Sequence, residues 1–245
     1  MIARQRQSGF TLIEVMISVT LVSLLAVAMM VAMRIGLTAM TKADAKLMLN
    51  RRAVGAHRVL EQQVASLMPV TADCRSDPDA PPTRIPFFQG EAQSMRFASS
   101  YSLQQATRGL PMILEFHVIP GLENEGVRLI VNEFLYTGPR GAGATCLGLT
   151  PDPVAGGLAP QFLPIQPGPG SFVLADKLAS CSFTFRDAQT PPLPPRWVPR
   201  WAKPYLPDAI RIEMTPIKPD PSRLEPMTLT MPVRVTRLPL ENYEN

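Results

Sequence analysis

Residues 9–33 read GFTLIEVMISVTLVSLLAVAMMVAM, and we expect this stretch to decide how the chain is organised. From Phe10 onward the run is apolar for about 24 residues, which is enough for one helix across a bilayer. Glu14 is the residue that does not fit this pattern. Because an ionisable side chain is costly in such a segment, we interpret Glu14 as a functional residue.

Three simpler interpretations explain this stretch only in part. A cleaved secretory signal has a shorter apolar core and a small-x-small cleavage site, and no Ala-x-Ala site precedes Arg34. A plain membrane anchor accounts for the length and for the preceding Arg4 and Arg6, but not for Glu14. A helix buried in a soluble core is seldom apolar on all faces over this length.

The string Gly9-Phe10-Thr11-Leu12-Ile13-Glu14 resembles the class III signal of type IV pilins and of the pseudopilins of type II secretion. In that family a prepilin peptidase cuts a short basic leader after the glycine. The new N-terminal phenylalanine becomes N-methylated, and the fifth mature residue is glutamate. The resemblance implies a leader at residues 1–9, cleavage between Gly9 and Phe10, methylation of Phe10 and an assembly role for Glu14.

Cleavage would also explain the acidic side chain. Phe10 would then carry a free amine in or near hydrocarbon, where a charge is unfavourable unless it is paired. In the family, the glutamate of one subunit neutralises the N-terminus of its neighbour. The attraction at about 4 Å is several kcal/mol at intermediate dielectric, so the pair would set the axial register of assembling helices. Alternatively, Glu14 snorkels to the lipid headgroups from the end of the helix.

The composition indicates a globular protein that carries one membrane segment. The chain has 245 residues, of which 46% are apolar and 18% charged, with a mean hydropathy of +0.07. Its net charge is +4, but we find no basic stripe with interleaved aromatics, so we expect no nucleic-acid binding. Positive charge before the apolar segment favours a cytoplasmic N-terminus, with the residues after Met33 in the periplasm, outside the bacterial inner membrane.

The cysteines predict one disulfide and one free thiol if the domain lies in an oxidising compartment. We favour Cys146–Cys181, because Cys146 lies in a Gly-rich loop that could reach a neighbouring strand. Cys74 lies in another loop and could compete, and three inert buried thiols are the alternative. No cysteine or histidine spacing fits a metal site, so we expect neither a metal nor a cofactor.

The sequence predicts one helix from Phe10 to about Met68, because Pro69 is the first proline. Residues 10–33 would cross the membrane. In residues 34–68 the pattern becomes amphipathic, and we expect its apolar stripe to pack on a globular domain. The stripe consists of positions near a 3.5-residue step and two that broaden it: Met40, Ala43, Leu47, Val54, Val64, Met68, Leu60 and Leu67.

Residues 69–245 predict a β-rich periplasmic domain, which makes the fold α+β and pilin-like. We expect a loop over 70–90, a hairpin from 112–119 and 127–136, and a mobile Gly- and Pro-rich segment over 138–170. Further strands are predicted at 95–97, 172–174, 181–186, 209–214 and 227–237. Dense prolines between them confine pairing to short antiparallel strands.

Trp197, Trp201 and the alternating segment 206–214 resemble the late segment of J-type minor pseudopilins, and 172–185 is similar to the segment before it. The resemblance implies a tip complex with other minor pseudopilins and the major pseudopilin. Trp197 and Trp201 are then candidate partner contacts, since aromatic residues are enriched at interface cores. Simple packing of these aromatics under a loop is the alternative.

We find no motif for catalysis. His57 and His117 have no local catalytic partner, and no nucleophile elbow, zinc-protease helix, phosphate loop or calcium loop is present. We therefore expect a substrate of modifying enzymes, not an enzyme. The implied function is that of a minor pseudopilin in type II secretion. A minor pilin for type IV pilus assembly and a membrane-anchored binding module are the alternatives.

Overall fold

The structure is a computed structural model. It describes residues 11–75, 80–152, 157–188, 193–201, 203–217 and 227–235, with the side chains of 45–54, 124 and 157 excepted. The contacts divide the chain into two compact units, residues 1–50 and 51–245. The predicted leader and the cleavage-site residues Gly9 and Phe10 lie outside the described residues.

The described residues form two α-helices and thirteen strands. In chain order these are α1 (Leu12–Ala65), β1 (Leu67–Met68), β2 (Thr71–Cys74), β3 (Thr83–Pro86), β4 (Phe88–Glu91), β5 (Ser94–Ser102), β6 (Thr107–Pro120), β7 (Val127–Leu135), α2 (Pro139–Gly143), β8 (Cys146–Asp152), β9 (Gly157–Phe162), β10 (Phe172–Asp187), β11 (Arg196–Val198), β12 (Ala209–Pro216) and β13 (Met227–Pro232).

The long N-terminal helix forms as predicted. α1 runs from Leu12 to Ala65, where the chain leaves the helix and enters β1, a few residues before the predicted end. Its segment Leu12–Asp44 is long and apolar enough to cross a membrane, with a mean hydropathy of 2.5. All side chains of residues 11–44 are exposed. The apolar positions there, Met40 among them, therefore have no partner in the described part of the chain.

Hydroxyl side chains along this segment form hydrogen bonds within the helix. Each of five donates to a main-chain carbonyl three or four residues earlier, at 2.7–3.0 Å: Ser18, Thr20, Ser23, Thr38 and Thr41. A hydroxyl paired in this way presents no unsatisfied polar group to hydrocarbon. These five hydroxyl residues are thus compatible with a membrane span.

In the second unit, nine of the described strands form one antiparallel sheet. Its order is β1-β5-β6-β7-β10-β12-β13, with β4 paired to β5 and β11 paired to β10. The predicted hairpin of β6 and β7 is confirmed, with His117 opposite Ile130. The two strands predicted at 172–174 and 181–186 are instead one strand, β10. It pairs with β7 from Phe172 to Leu178, with register shifts between Val173 and Leu178, and with β12 from Leu178 to Arg186.

The end of α1 packs on one face of this sheet, which we call the inner face. Leu60 and Val64 lie four residues apart on the helix and are fully buried among inner-face residues that include Phe97 and Phe116. The rings of Phe97 and Phe116 stack with centroids 5.7 Å apart. The predicted apolar stripe is therefore confirmed at Leu60 and Val64, where it forms part of the main core.

A second layer covers the opposite face, which we call the outer face. Neighbouring side chains of a strand point to opposite faces, and Ile113 of β6 joins this outer cluster whereas Leu114 joins the inner core. The outer layer consists of the two-stranded sheets β2–β3 and β8–β9 and the short helix α2. Its buried centre contains Phe87 and Phe162, whose rings meet edge to face at 5.8 Å.

The outer layer overturns two sequence predictions. The segment 70–90 was expected to be a loop but holds β2, β3 and the start of β4, because its prolines fall between or at the ends of strands. The segment 138–170 was expected to be mobile but holds α2, β8 and β9. Both segments bury apolar side chains against the sheet, and this long-range burial outweighs their loop-like composition.

The predicted disulfide Cys146–Cys181 is wrong. Cys146 of β8 pairs with Cys74 of β2, with Cα atoms 5.4 Å apart, so the bridge joins the two halves of the outer layer. Cys181 is free and buried in the inner core beside Met214, with the sheet between it and Cys146. Burial raises the pKa of the Cys181 thiol to about 12.

Candidate functional site

Glu14 lies in the first turn of α1. The main-chain oxygen of Thr11 accepts hydrogen bonds from the N–H groups of Glu14, at 3.1 Å, and Val15, at 3.3 Å, so helical bonding begins at this residue. A carboxylate is favourable there, because the N-terminal end of a helix carries partial positive charge. The Glu14 side chain is exposed and forms no ion pair with the described residues. It is thus available to a partner.

The surface around Glu14 is largely apolar, with the hydroxyl residues Thr11 and Ser18 as its polar neighbours. Leu12, Ile13, Ile17 and Leu21 are all more than half exposed. A contiguous apolar surface of this length does not suit a helix in water and marks a membrane or protein contact. The acidic group therefore lies in a helix whose length and composition suit a membrane span, where an unpaired charge is costly.

The structure separates the two tryptophans that were predicted to contact a partner. Trp201 is 5% exposed and belongs to the inner core. Its indole N–H donates to the main-chain oxygen of Tyr205 at 2.6 Å, and its main-chain N–H donates to Gly90 at 2.8 Å. The partner prediction for Trp201 is therefore wrong, since a buried and fully bonded indole holds its own loop on the core.

Trp197 lies on the outer face of β10 and β12. In the register of β11 and β10, Trp197 lies opposite Arg186. The guanidinium of Arg211 lies 4.0 Å from the centre of the Trp197 ring. Trp197 is half-buried. Partner contact by Trp197 stays a prediction.

A polar cluster next to Trp201 was not predicted. The buried carboxylate of Asp187 accepts hydrogen bonds from the Lys203 ammonium and, at 3.0 Å, from the Tyr205 hydroxyl. Burial lowers the pKa of Lys203, but the hydrogen bonds to Asp187 and Tyr205 outweigh it, and the pKa is raised overall. The cluster ties the end of β10 to the segment after Trp201, which is a structural role.

A second unpredicted network crosses the outer face. Arg96, Glu115 and Asn132 stand side by side on β5, β6 and β7. Arg96 also donates to the main-chain oxygen of Leu163 at 3.0 Å, and the Asn132 amide donates to Gln166 at 2.9 Å. These bonds hold the Gly- and Pro-rich segment after β9 on the sheet. Three polar residues at buried strand positions were the sequence signal for this network.

The described residues contain no group of three or more His, Cys, Asp or Glu side chains that could hold a metal ion. His57 lies on α1 within 3.8 Å of Glu61, and His117 lies on β6. Burial lowers the pKa of His117. The two histidines lie on different elements.

Comparison with known proteins bears on the N-terminal segment. Residues 4–30 match the family model described as the prokaryotic N-terminal methylation motif. A search of curated proteins found no match to this chain. The matched segment contains Gly9, Phe10 and Glu14, and a motif of this class implies processing by a prepilin peptidase and assembly with other pilins. The N-terminal apolar helix and the antiparallel sheet domain that follows it form an α+β, pilin-like fold.

Proposed function

We propose that this chain is a minor pseudopilin of type II protein secretion that acts in a pseudopilus tip complex and helps to export folded proteins. The observation that carries the proposal is the methylation motif at residues 4–30, which leads directly into an apolar helix with Glu14 in its first turn. The resemblance of 172–185 and 206–214 to J-type pseudopilins favours the tip position.

The mechanism begins with insertion and processing. Arg4 and Arg6 keep the N-terminus in the cytoplasm, while the domain after the membrane helix lies in the periplasm. A prepilin peptidase cleaves between Gly9 and Phe10, and the new amine of Phe10 is methylated. The chain is the substrate in both reactions, and its own role is structural, not catalytic.

Assembly then depends on the membrane helix. The Glu14 carboxylate of one subunit pairs with the N-terminal amine of a neighbour, because both charges are unfavourable in hydrocarbon when they are alone. The exposed apolar side chains of residues 12–44 pack laterally against other pseudopilin helices. The sheet domain selects its partners among the other minor pseudopilins and the major pseudopilin, and Trp197 is a candidate contact.

A minor pilin for type IV pilus assembly is the second candidate. The methylation motif is common to both machines, and the match covers only residues 4–30. The outer layer, built from 70–90 and 138–170, lies outside the segments that resemble J-type pseudopilins.

A clean deletion in the native bacterium separates these two functions. The secreted proteins and the surface pili are measured in one culture, with and without the complementing gene. Loss of secretion with pili intact supports the pseudopilin proposal. Loss of pili with secretion intact contradicts it and supports the minor pilin.

A further inference from the structure

A cleft opens in the outer layer beside the Cys74–Cys146 disulfide. Its volume is about 600 Å³, and its charged lining comes from three arginines and one carboxylate. Arg75 and Arg84 approach from the β2–β3 side, and Arg140 comes from α2. We call these three residues and Asp73 the arginine cleft.

The charges of the arginine cleft do not balance among the described residues. Arg84 pairs with Asp73, its Nε lying 3.0 Å from Oδ1. Within the part of the chain that the structure describes, Arg75 and Arg140 form no ion pair. Both are exposed at the rim of the cleft. Two guanidinium groups therefore share one cavity, and neither forms an ion pair with a described residue.

The two walls of the cleft are held at a fixed separation. The disulfide joins Cys74, next to Arg75, to Cys146, which follows α2. α2 also lies directly against β2, since a Cβ atom at Gly143 would come within 2.1 Å of the main-chain oxygen of Asp73. Cationic groups on walls already fixed in this way lose less freedom when a ligand binds.

We propose that the arginine cleft binds an oxyanion, a carboxylate or phosphate group. A planar guanidinium presents N–H donors in a fork that matches the oxygens of either group. The cleft volume lies in the range of ligand pockets, so it has room for the molecule that carries the anion. This site is separate from Glu14, and nothing in the assembly proposal requires it.

The sequence contains one competitor for the cleft. Asp77 and Asp79 follow Arg75 closely in the sequence and lie outside the described residues. The test must therefore distinguish an external anion from these two carboxylates.

The test measures binding to the full-length protein in nonionic detergent at low salt. Isothermal titration calorimetry is performed with inorganic phosphate and, separately, with a blocked tetraglutamate peptide. The test variant is Arg75→Gln/Arg140→Gln, which leaves the Arg84–Asp73 pair in place. The control is Arg58→Gln/Arg108→Gln, which removes the same charge from exposed positions on α1 and β6.

We expect the wild type and the control to bind at least one probe. The dissociation constant of the test variant for that probe should be at least about tenfold higher. Tighter binding of phosphate would identify a free small anion, and tighter binding of the peptide would identify an acidic protein segment.

Equal affinity in test and control variants would overturn the proposal, as would no binding of either probe up to millimolar concentration. Binding seen only in Asp77→Asn/Asp79→Asn would also overturn it, because the chain's own carboxylates would then fill the cleft.

Discussion

The guanidinium of Arg96 donates a hydrogen bond to the carboxylate of Glu115 at 2.7 Å, and the two side chains are only 2% and 8% exposed. Arg96 also donates to Gln89 at 2.8 Å, and its guanidinium lies 5.3 Å from the centre of the Phe162 ring. The charged pair thus connects the large sheet to the outer layer. The contribution of this pair to stability depends on both residues, because either charge alone would be buried without a charged partner.

Replacing Glu115 by Gln tests this dependence. We expect Glu115→Gln to lower the free energy of unfolding by about 3–5 kcal/mol, because it leaves the Arg96 charge buried and unpaired. The measurement is urea unfolding followed by circular dichroism. Glu123→Gln, at an exposed turn, is the control and should have little effect. An equally small effect for Glu115→Gln would show that the pair does not stabilise the outer layer.

Gln63 offers a stabilising substitution. It is fully buried on α1, and neither its side-chain oxygen nor its nitrogen has a hydrogen-bond partner among the described residues. A buried polar group without a partner costs about 1–3 kcal/mol, so Gln63→Met should raise the free energy of unfolding by that amount. Gln62→Met, on the half-buried neighbour, is the control. A loss of stability in Gln63→Met alone would contradict the prediction.

Cys181 should be the free thiol, and it should be inert in the folded protein. Burial raises its pKa from 9.0 to about 12, so almost no thiolate forms at neutral pH. We expect no maleimide labelling of the folded protein, and labelling at Cys181 alone after unfolding without reductant. Mass spectrometry of the labelled peptides measures this. Labelling at Cys74 or Cys146 under those conditions would contradict the disulfide.

The same pKa shift predicts a pH dependence. The unfolded thiol loses its proton near pH 9, whereas the folded thiol keeps its proton up to about pH 12. The unfolded state therefore binds fewer protons in this window, and the contribution of Cys181 to stability falls as pH rises through it. Cys181→Ala should show a smaller loss of stability over the same range, as measured by thermal unfolding.

Glu14→Ala should leave membrane insertion intact and impair assembly. The substitution removes the charge that is proposed to pair with the N-terminal amine of a neighbour, while the apolar segment keeps its length. Co-purification of other pilin-like subunits from crosslinked membranes measures assembly. Ser18→Ala, one turn along the helix, is the control. Normal recovery of partners with Glu14→Ala would remove Glu14 from the mechanism.

Local patterns predicted the elements whose residue pattern is continuous along the chain. The apolar run and the absence of proline before Pro69 predicted α1, and strand-forming residues on both sides of the turn at Pro120-Gly121 predicted the hairpin of β6 and β7. The candidate residue Glu14 was found in the same way, because one acid in an apolar helix stands out in the sequence.

The outer layer could not be predicted in this way, because its stability comes from distant contacts. Cys74 and Cys146 are 72 residues apart, and no local pattern pairs them. The period-two pattern of the strand could have excluded Cys181 from the disulfide. Cys181, Phe183 and Phe185 lie at every second position of β10 and face the inner core together. The arginine cleft was missed for the same reason, as Arg75 and Arg140 meet only in the folded chain.

The most direct test of the central claim is mass spectrometry of the N-terminal peptide of this protein, purified from membranes of the native bacterium. We predict a mature chain that begins at N-methylated Phe10, and a loss of this product when Gly9 is replaced by a bulky residue. A chain that keeps residues 1–9, or a mature-sized product from the Gly9 variant, would contradict the account.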